Sequence, residues 1–151
     1  MPNKKYYQLE YYDPFAGLIH FKLDYMSHLK NKQLQFEVNN LKRFLDFIID
    51  ENIHLKNRIS EILSDRFDTY LLEEVDDFQS KLIKEDHLIV LLRNEITEVD
   101  SLLANDLNKD PDQMKKIELR LKRLHKNMRI VEKQYAKLKT AFYRFLSKNI
   151  V

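Results

Sequence analysis

The 151-residue sequence contains no cysteine, no tryptophan, one glycine and three prolines. Without cysteine it cannot form disulfides, a thiolate nucleophile or a cysteine-based zinc site. A single glycine rules out a glycine-rich phosphate loop. The longest apolar run, Leu88 to Leu92, is far shorter than the roughly 20 residues of a membrane-spanning helix. The N-terminus lacks an apolar run of signal-peptide length, so we expect a cytoplasmic protein.

The composition favours long helices. Charged residues make up 33% of the chain and hydrophobic residues 44%, while glycine and proline, which disrupt helix interiors, are almost missing. The length suits one domain with a sizeable core.

Three segments carry apolar residues in alternating steps of three and four, the heptad pattern that places one narrow seam along a helix. The third and most regular seam comprises Met114, Ile117, Leu121, Leu124, Met128, Val131, Tyr135, Leu138, Phe142 and Phe145. The first comprises Leu34, Val38, Leu41, Leu45, Ile48, Asn52, Leu55, Ile59 and Ile62. The second comprises Leu71, Val75, Phe78, Leu82, Glu85, Ile89, Leu92, Ile96, Val99 and Leu103.

These seams predict a mainly α protein, an antiparallel, coiled-coil-like bundle of three long helices. The expected helices span about 28–66, 69–106 and 111–149 and form a bundle over residues 28–151, which together with an N-terminal arm over residues 1–27 makes one structural domain overall. Similar lengths predict helix ends that match without an overhang. The expected N-cap of the first helix is Ser27, and that of the second is Asp68 or Thr69. The third helix is expected to be capped by Asp110, which precedes Pro111.

Residues 1–27 differ from the rest and predict an N-terminal β-hairpin arm with strands near 5–12 and 18–26. In the second strand Ile19, Phe21, Leu23 and Tyr25 alternate with polar residues, which is strand periodicity. In the alternative, Asp13 caps a short first helix that begins at Pro14, giving an all-α four-helix arrangement.

Polar residues interrupt the seams at one predicted height. Folding the chain near residues 67 and 108 brings Asn52, Glu85 and Tyr135 close to one layer at mid-bundle. A buried carboxylate needs partners, so we expect the Tyr135 hydroxyl and the Asn52 amide to contact Glu85. We interpret this layer as setting the helix register, since one carboxylate without a seam histidine makes a poor metal site.

Charge is divided unevenly along the chain. Residues 111–151 carry twelve basic and three acidic side chains, whereas residues 1–110 have a net charge of −7. If Met114 occupies heptad position a, nine cations lie at the outer positions b, c and f. This predicted basic face comprises Lys115, Lys116, Lys122, Arg123, Lys126, Arg129, Lys133, Lys137 and Arg144. It is either a solvated surface or a binding surface for nucleic-acid phosphates or another anionic surface.

Several apolar residues fall outside the seams and form a candidate docking patch for the hairpin or for a partner. They are Phe36, Phe47, Val90, Leu91 and Ile130. The acidic second helix and the basic third helix could also pair with another copy of the chain.

No residue pattern indicates catalysis, a cofactor or a metal. A di-metal bundle needs paired Glu-x-x-His motifs on facing helices, and only Glu51 and His54 have this spacing. We therefore predict a non-catalytic cytoplasmic scaffold or protein–protein interaction protein that self-associates, as a homodimer, without a small-molecule substrate. The alternative is a nucleic-acid-associated protein that uses the basic face of the third helix.

Overall fold

The computed structural model describes residues 15–65, 68–104 and 110–149, and all but a few of these belong to three long helices. Helix α1 spans Ala16–Asp65, α2 spans Thr69–Ala104 and α3 spans Pro111–Asn149. The described ranges contain no strand. None of the three helices includes a segment that is long and apolar enough to span a bilayer. The predicted helical bundle is confirmed.

The three predicted seams form the core. Every seam residue is buried apart from Phe78, which is partly buried and packs against the others. At one end of the bundle the Phe78 and Phe142 rings meet edge to face, with centroids 5.2 Å apart. Heptad spacing therefore identified the buried face of each helix, because one narrow stripe per helix is sufficient to fill a three-helix interior.

Contacts between the helices define their directions. Lys42 pairs with Asp100 and Lys56 with Asp86, so α1 and α2 run antiparallel. Helix α3 runs antiparallel to α2 and parallel to α1. Three polar contacts spaced by whole heptads join α1 to α3: the ion pairs Lys30–Glu118 and Glu51–Lys139, and the contact of Glu37 with the imidazole of His125, which is an ion pair when the imidazole is protonated.

Side-chain caps begin α2 and α3. The Asp110 carboxylate accepts a 2.8 Å hydrogen bond from the Gln113 backbone N–H, and the Gln113 side chain accepts one from the Asp110 N–H. This reciprocal arrangement is a capping box. The Asp68 carboxylate likewise accepts a hydrogen bond from the Tyr70 N–H. Two of the predicted N-caps are thus confirmed.

The predicted hairpin arm is wrong over its second strand. Helix α1 begins at Ala16 and continues through residues 18–26 without a break, and Ser27 lies inside it. The predicted strand near 5–12, with Asp13 and Pro14, lies outside the described residues. The alternating residues also fit helical spacing, and nothing after Gly17 interrupts the helix, because the next proline is Pro111. The helical segment is continuous with α1, so it does not form the separate short helix of the alternative.

The prediction of matching helix ends is also wrong. Helix α1 has 50 residues, compared with 36 in α2 and 39 in α3. The pairing of Lys30 with Glu118, seven residues into α3, leaves the first part of α1 beyond the ends of both neighbours. Apart from position 24, whose side chain is not described, every residue from 15 to 30 is exposed. The exposed N-terminal part of α1, residues 16–29, is roughly 21 Å long, and its first half extends past the start of α3, because Lys30 pairs only seven residues into that helix.

Candidate functional site

The three polar seam residues are buried near one height in the bundle. Asn52, Glu85 and Tyr135 are 1%, 7% and 5% exposed. The Asn52 amide donates a 2.5 Å hydrogen bond to Asp86, the neighbour of Glu85. The negative charge of Glu51, next to Asn52, acts on the Tyr135 hydroxyl. These interactions bring α1, α2 and α3 together in one polar layer.

The contacts expected within this layer do not form. The Glu85 Oε2, the Asn52 Oδ1 and the Tyr135 hydroxyl are buried without a hydrogen-bond partner among the described residues. Burial raises the pKa of the Glu85 carboxyl and, together with the charge of Glu51, that of the Tyr135 hydroxyl. In both groups, burial disfavours the charged form relative to the same group in water. In the ranges described, no cluster of three or more His, Asp or Glu side chains is arranged to hold a metal ion.

All nine cations of the basic face are exposed. None forms an ion pair with a described carboxylate. The basic residues of α3 that do contact carboxylates of other helices are Arg120, His125 and Lys139. These three lie at the positions that flank the seam, where a side chain reaches the neighbouring helix, whereas positions b, c and f point away from it. The basic face is consequently left without neutralising partners in the described part of the bundle.

Some of the basic face borders an open groove of about 990 Å³ between α1 and α3. Its α3 wall carries four of the nine cations, Lys122, Lys126, Arg129 and Lys133. The opposite wall carries Lys30 and Gln33, and buried Leu34 forms part of the floor. We refer to this feature as the α1–α3 groove. The seam of α3 predicted the outward direction of these cations, but only the packing of α1 shows that they line a groove.

The five residues of the predicted docking patch are all exposed, from 46% at Ile130 to 64% at Phe36. Phe47 and Val90 lie at outer heptad positions, one turn from Glu51 of α1 and Asp86 of α2 respectively. Phe47, Val90, Leu91 and Ile130 lie at similar heights on three different helices, and Phe36 lies about three turns before Phe47. Of the five, Ile130 alone lines the α1–α3 groove.

A larger apolar surface runs along the N-terminal part of α1, from Phe15 just before the helix to Phe36 inside the bundle, and it was not predicted as a surface from the sequence. We call it the α1 stripe: Phe15, Leu18, Ile19, Tyr25, Met26, Leu29 and Phe36, each between 47% and 64% exposed. With Val38 at heptad position a, all seven fall at b, c or f, opposite the seam. Steps of three, four and seven between these residues were the available signal, but the strand-like alternation of Ile19 and Tyr25 obscured it.

Comparison of the chain with known protein families, with characterised proteins and with solved structures gave no significant match.

Proposed function

We propose that this protein is a non-catalytic interaction protein that self-associates through the α1 stripe. The observation that supports the proposal is the exposure of seven large apolar side chains along one side of α1, counting Phe15 just before the helix. Soluble proteins rarely expose contiguous apolar patches of this size unless they are interaction surfaces.

The position of the stripe makes a second copy of the chain a suitable partner. The stripe lies opposite the seam, so its apolar residues cannot join the core of their own bundle. Two copies placed antiparallel, with Tyr25 and Met26 near the twofold axis, would bring each stripe against the other. Such an isologous contact is the commonest arrangement in homodimers.

The area of the stripe fits this arrangement. At roughly 100 Å² of exposed surface for each large apolar side chain, the seven residues offer about 700 Å² per copy. Two copies would bury about 1,400 Å², which is within the range of roughly 1,200–2,000 Å² for specific protein–protein interfaces.

The oligomeric state in solution tests the proposal. We expect light scattering coupled to size exclusion to give twice the 18.4 kDa chain mass for the native protein. Leu18→Gln with Met26→Gln should give a monomer of unchanged helicity, because polar amides replace one apolar side chain near the twofold axis and another about two turns from it in each copy. The matched control is Ile53→Gln with Leu102→Gln, at similarly exposed positions outside the stripe, which should remain dimeric. A monomeric native protein at high concentration, or a dimer that survives the Leu18 and Met26 changes, would refute the proposal.

A further inference from the structure

We propose that the α1–α3 groove binds the phosphate backbone of nucleic acid. The proposal is independent of self-association, since the groove and the α1 stripe have no residue in common. It rests on the charge of the groove, the spacing of its cations and the nature of its lining.

The four cations of the α3 wall follow one another at helical steps of four, three and four residues. The row from Lys122 to Lys133 is therefore about 16 Å long at ~1.5 Å per residue. One strand of a duplex presents about five phosphates over that length of helix axis. A row of this kind can contact several successive phosphates at once.

Carboxylates do not cancel the charge of the row. The groove is lined by five Lys or Arg side chains and two carboxylates, Glu37 and Glu118; Lys30 pairs with Glu118, and Glu37 contacts His125, so an excess of three positive charges is left even with a neutral imidazole. The α3 cations have no such partner in the described ranges. Binding a phosphate polymer would release counterions from these cations and from the polymer without breaking an existing ion pair.

The lining favours phosphates over bases. Apart from the imidazole of His125, the side chains that line the groove include no aromatic ring, and its apolar members are Leu34 and Ile130. Proteins that recognise unpaired bases usually stack them on aromatic side chains. The groove therefore fits contacts that do not depend on base sequence.

Two other polyanionic partners fit less well. A helix that lies on a membrane inserts an exposed apolar face, whereas the apolar seam of α3 is buried in the core. The acidic α2 of a second copy is the other candidate. Part of the negative charge of α2 is already neutralised by ion pairs within the chain, which involve Asp77, Asp86, Glu98 and Asp100.

Fluorescence anisotropy with a labelled DNA duplex and a single-stranded RNA of equal length tests the inference. Four phosphate contacts predict a log–log salt slope of about −3.6 for the duplex, or a loss of affinity of about 150-fold between ~50 and ~200 mM salt. Unlabelled inorganic polyphosphate should displace the probe. The variant Lys122→Gln, Lys126→Gln, Lys133→Gln should reduce the slope to about −0.9.

The matched control is Lys115→Gln, Lys116→Gln, Lys137→Gln. It removes the same charge from exposed positions of the same helix that do not line the groove, and it should retain most of the salt slope. Equal losses in both variants would show that binding follows the overall charge of α3, and would overturn the groove as the site. The inference also fails if neither nucleic acid binds at low salt, or if the groove variant changes the oligomeric state instead, which would identify α2 of another copy as the occupant.

Discussion

Replacing Glu85 by leucine should stabilise the protein at neutral pH. Glu85 occupies a seam position, is 7% exposed and has a buried Oε2 without a partner in the described ranges. A buried polar group without a hydrogen bond costs about 1–3 kcal/mol. We therefore expect Glu85→Leu to raise the free energy of unfolding by about 1–3 kcal/mol at pH 7, with Tm rising about 2–4 °C for each kcal/mol in a chain of this size.

The pH dependence follows from the direction of the pKa shift. Burial raises the pKa of Glu85 in the folded state, so over part of the pH range the folded protein retains a proton that the unfolded chain has lost. This contribution to stability is fully present below the unfolded pKa, near 4.3, and is lost as the pH rises through the folded pKa. Glu85→Gln removes this titrating group. The free energy of unfolding of the variant should therefore exceed that of the native protein only slightly in acid, and by an increasing amount toward neutral pH.

Urea unfolding followed by circular dichroism between pH 4 and pH 8 measures both effects. Glu73→Leu and Glu73→Gln are the controls, because they change the same charge at an exposed position of the same helix. Their effects should stay within about 0.5 kcal/mol. If Glu85→Leu lowered the free energy of unfolding at pH 7 with an unchanged denaturant slope, the carboxylate would have to make a stabilising interaction, and the reasoning would be refuted.

Two further predictions concern polar contacts at the helix start and between helices. Asp110→Ala removes the acceptor for the Gln113 N–H and should lower the free energy of unfolding by about 0.5–2 kcal/mol in urea titrations; an unchanged midpoint would mean that the capping box does not stabilise α3. Asp100 accepts hydrogen bonds from Lys42 and Gln35, which lower its pKa, so its stabilising effect is present above the unfolded pKa near 3.9 and is lost as the pH falls through the folded pKa. Asp100→Asn should therefore lower the free energy of unfolding by no more than about 1 kcal/mol near pH 7, and by less in strong acid. An equal loss at both pH values would contradict a stabilising role of the Asp100 carboxylate.

The core was predictable because a heptad seam is a local signal. The spacing between successive apolar residues indicates which face of the helix they share, so the buried face can be identified without knowing where the neighbouring helices lie. The caps at Asp68 and Asp110 were predictable for the same reason, since their hydrogen bonds span only two or three residues. The relative directions of consecutive helices were predictable because short connections favour antiparallel packing of neighbours.

The exposed N-terminal part of α1 was not predictable from the same signal. The seam stops at Leu34, because its heptad equivalents toward the N-terminus include Asn31, Ser27 and His20. In the sequence, the end of the apolar seam at Leu34 looks the same as the end of a helix. The exposed N-terminal part continues as helix with its apolar residues on another side, and strand-like alternation over residues 18–26 supported the wrong local structure.

The partner of Asn52 shows another limit of seam arithmetic. Positions at equal height predicted a contact with Glu85, but the amide donates to Asp86 instead. Glu85 points into the core, where its charged form is disfavoured. Asp86 lies on the flank of α2 with a half-exposed carboxylate that also pairs with Lys56. A charged acceptor that keeps part of its hydration is the better partner for a buried amide.

Charge pairing adds a preference for one alignment that the seams alone do not provide. Apolar seams could slide past one another by whole heptads with most of their contacts retained. In the observed alignment of α1 and α3, Glu37 pairs with His125. A shift of α3 by one heptad in either direction would place Glu37 opposite Glu118 or Glu132, and both shifts therefore create a repulsive pair.

The same constraint applies to α1 and α2. Lys42 and Lys56 face aspartates two heptads apart on α2, and Arg93 lies midway between those aspartates. In the observed alignment Arg93 is level with Ile49 rather than with a cation. A shift of α2 by one heptad in one direction sets Arg93 against Lys42, and in the other direction against Lys56. Each like-charge contact is worth little on its own. A one-heptad shift of α2 or α3 along α1, in either direction, brings like charges together. The charged residues that flank the seams therefore act together with the polar layer to favour one register.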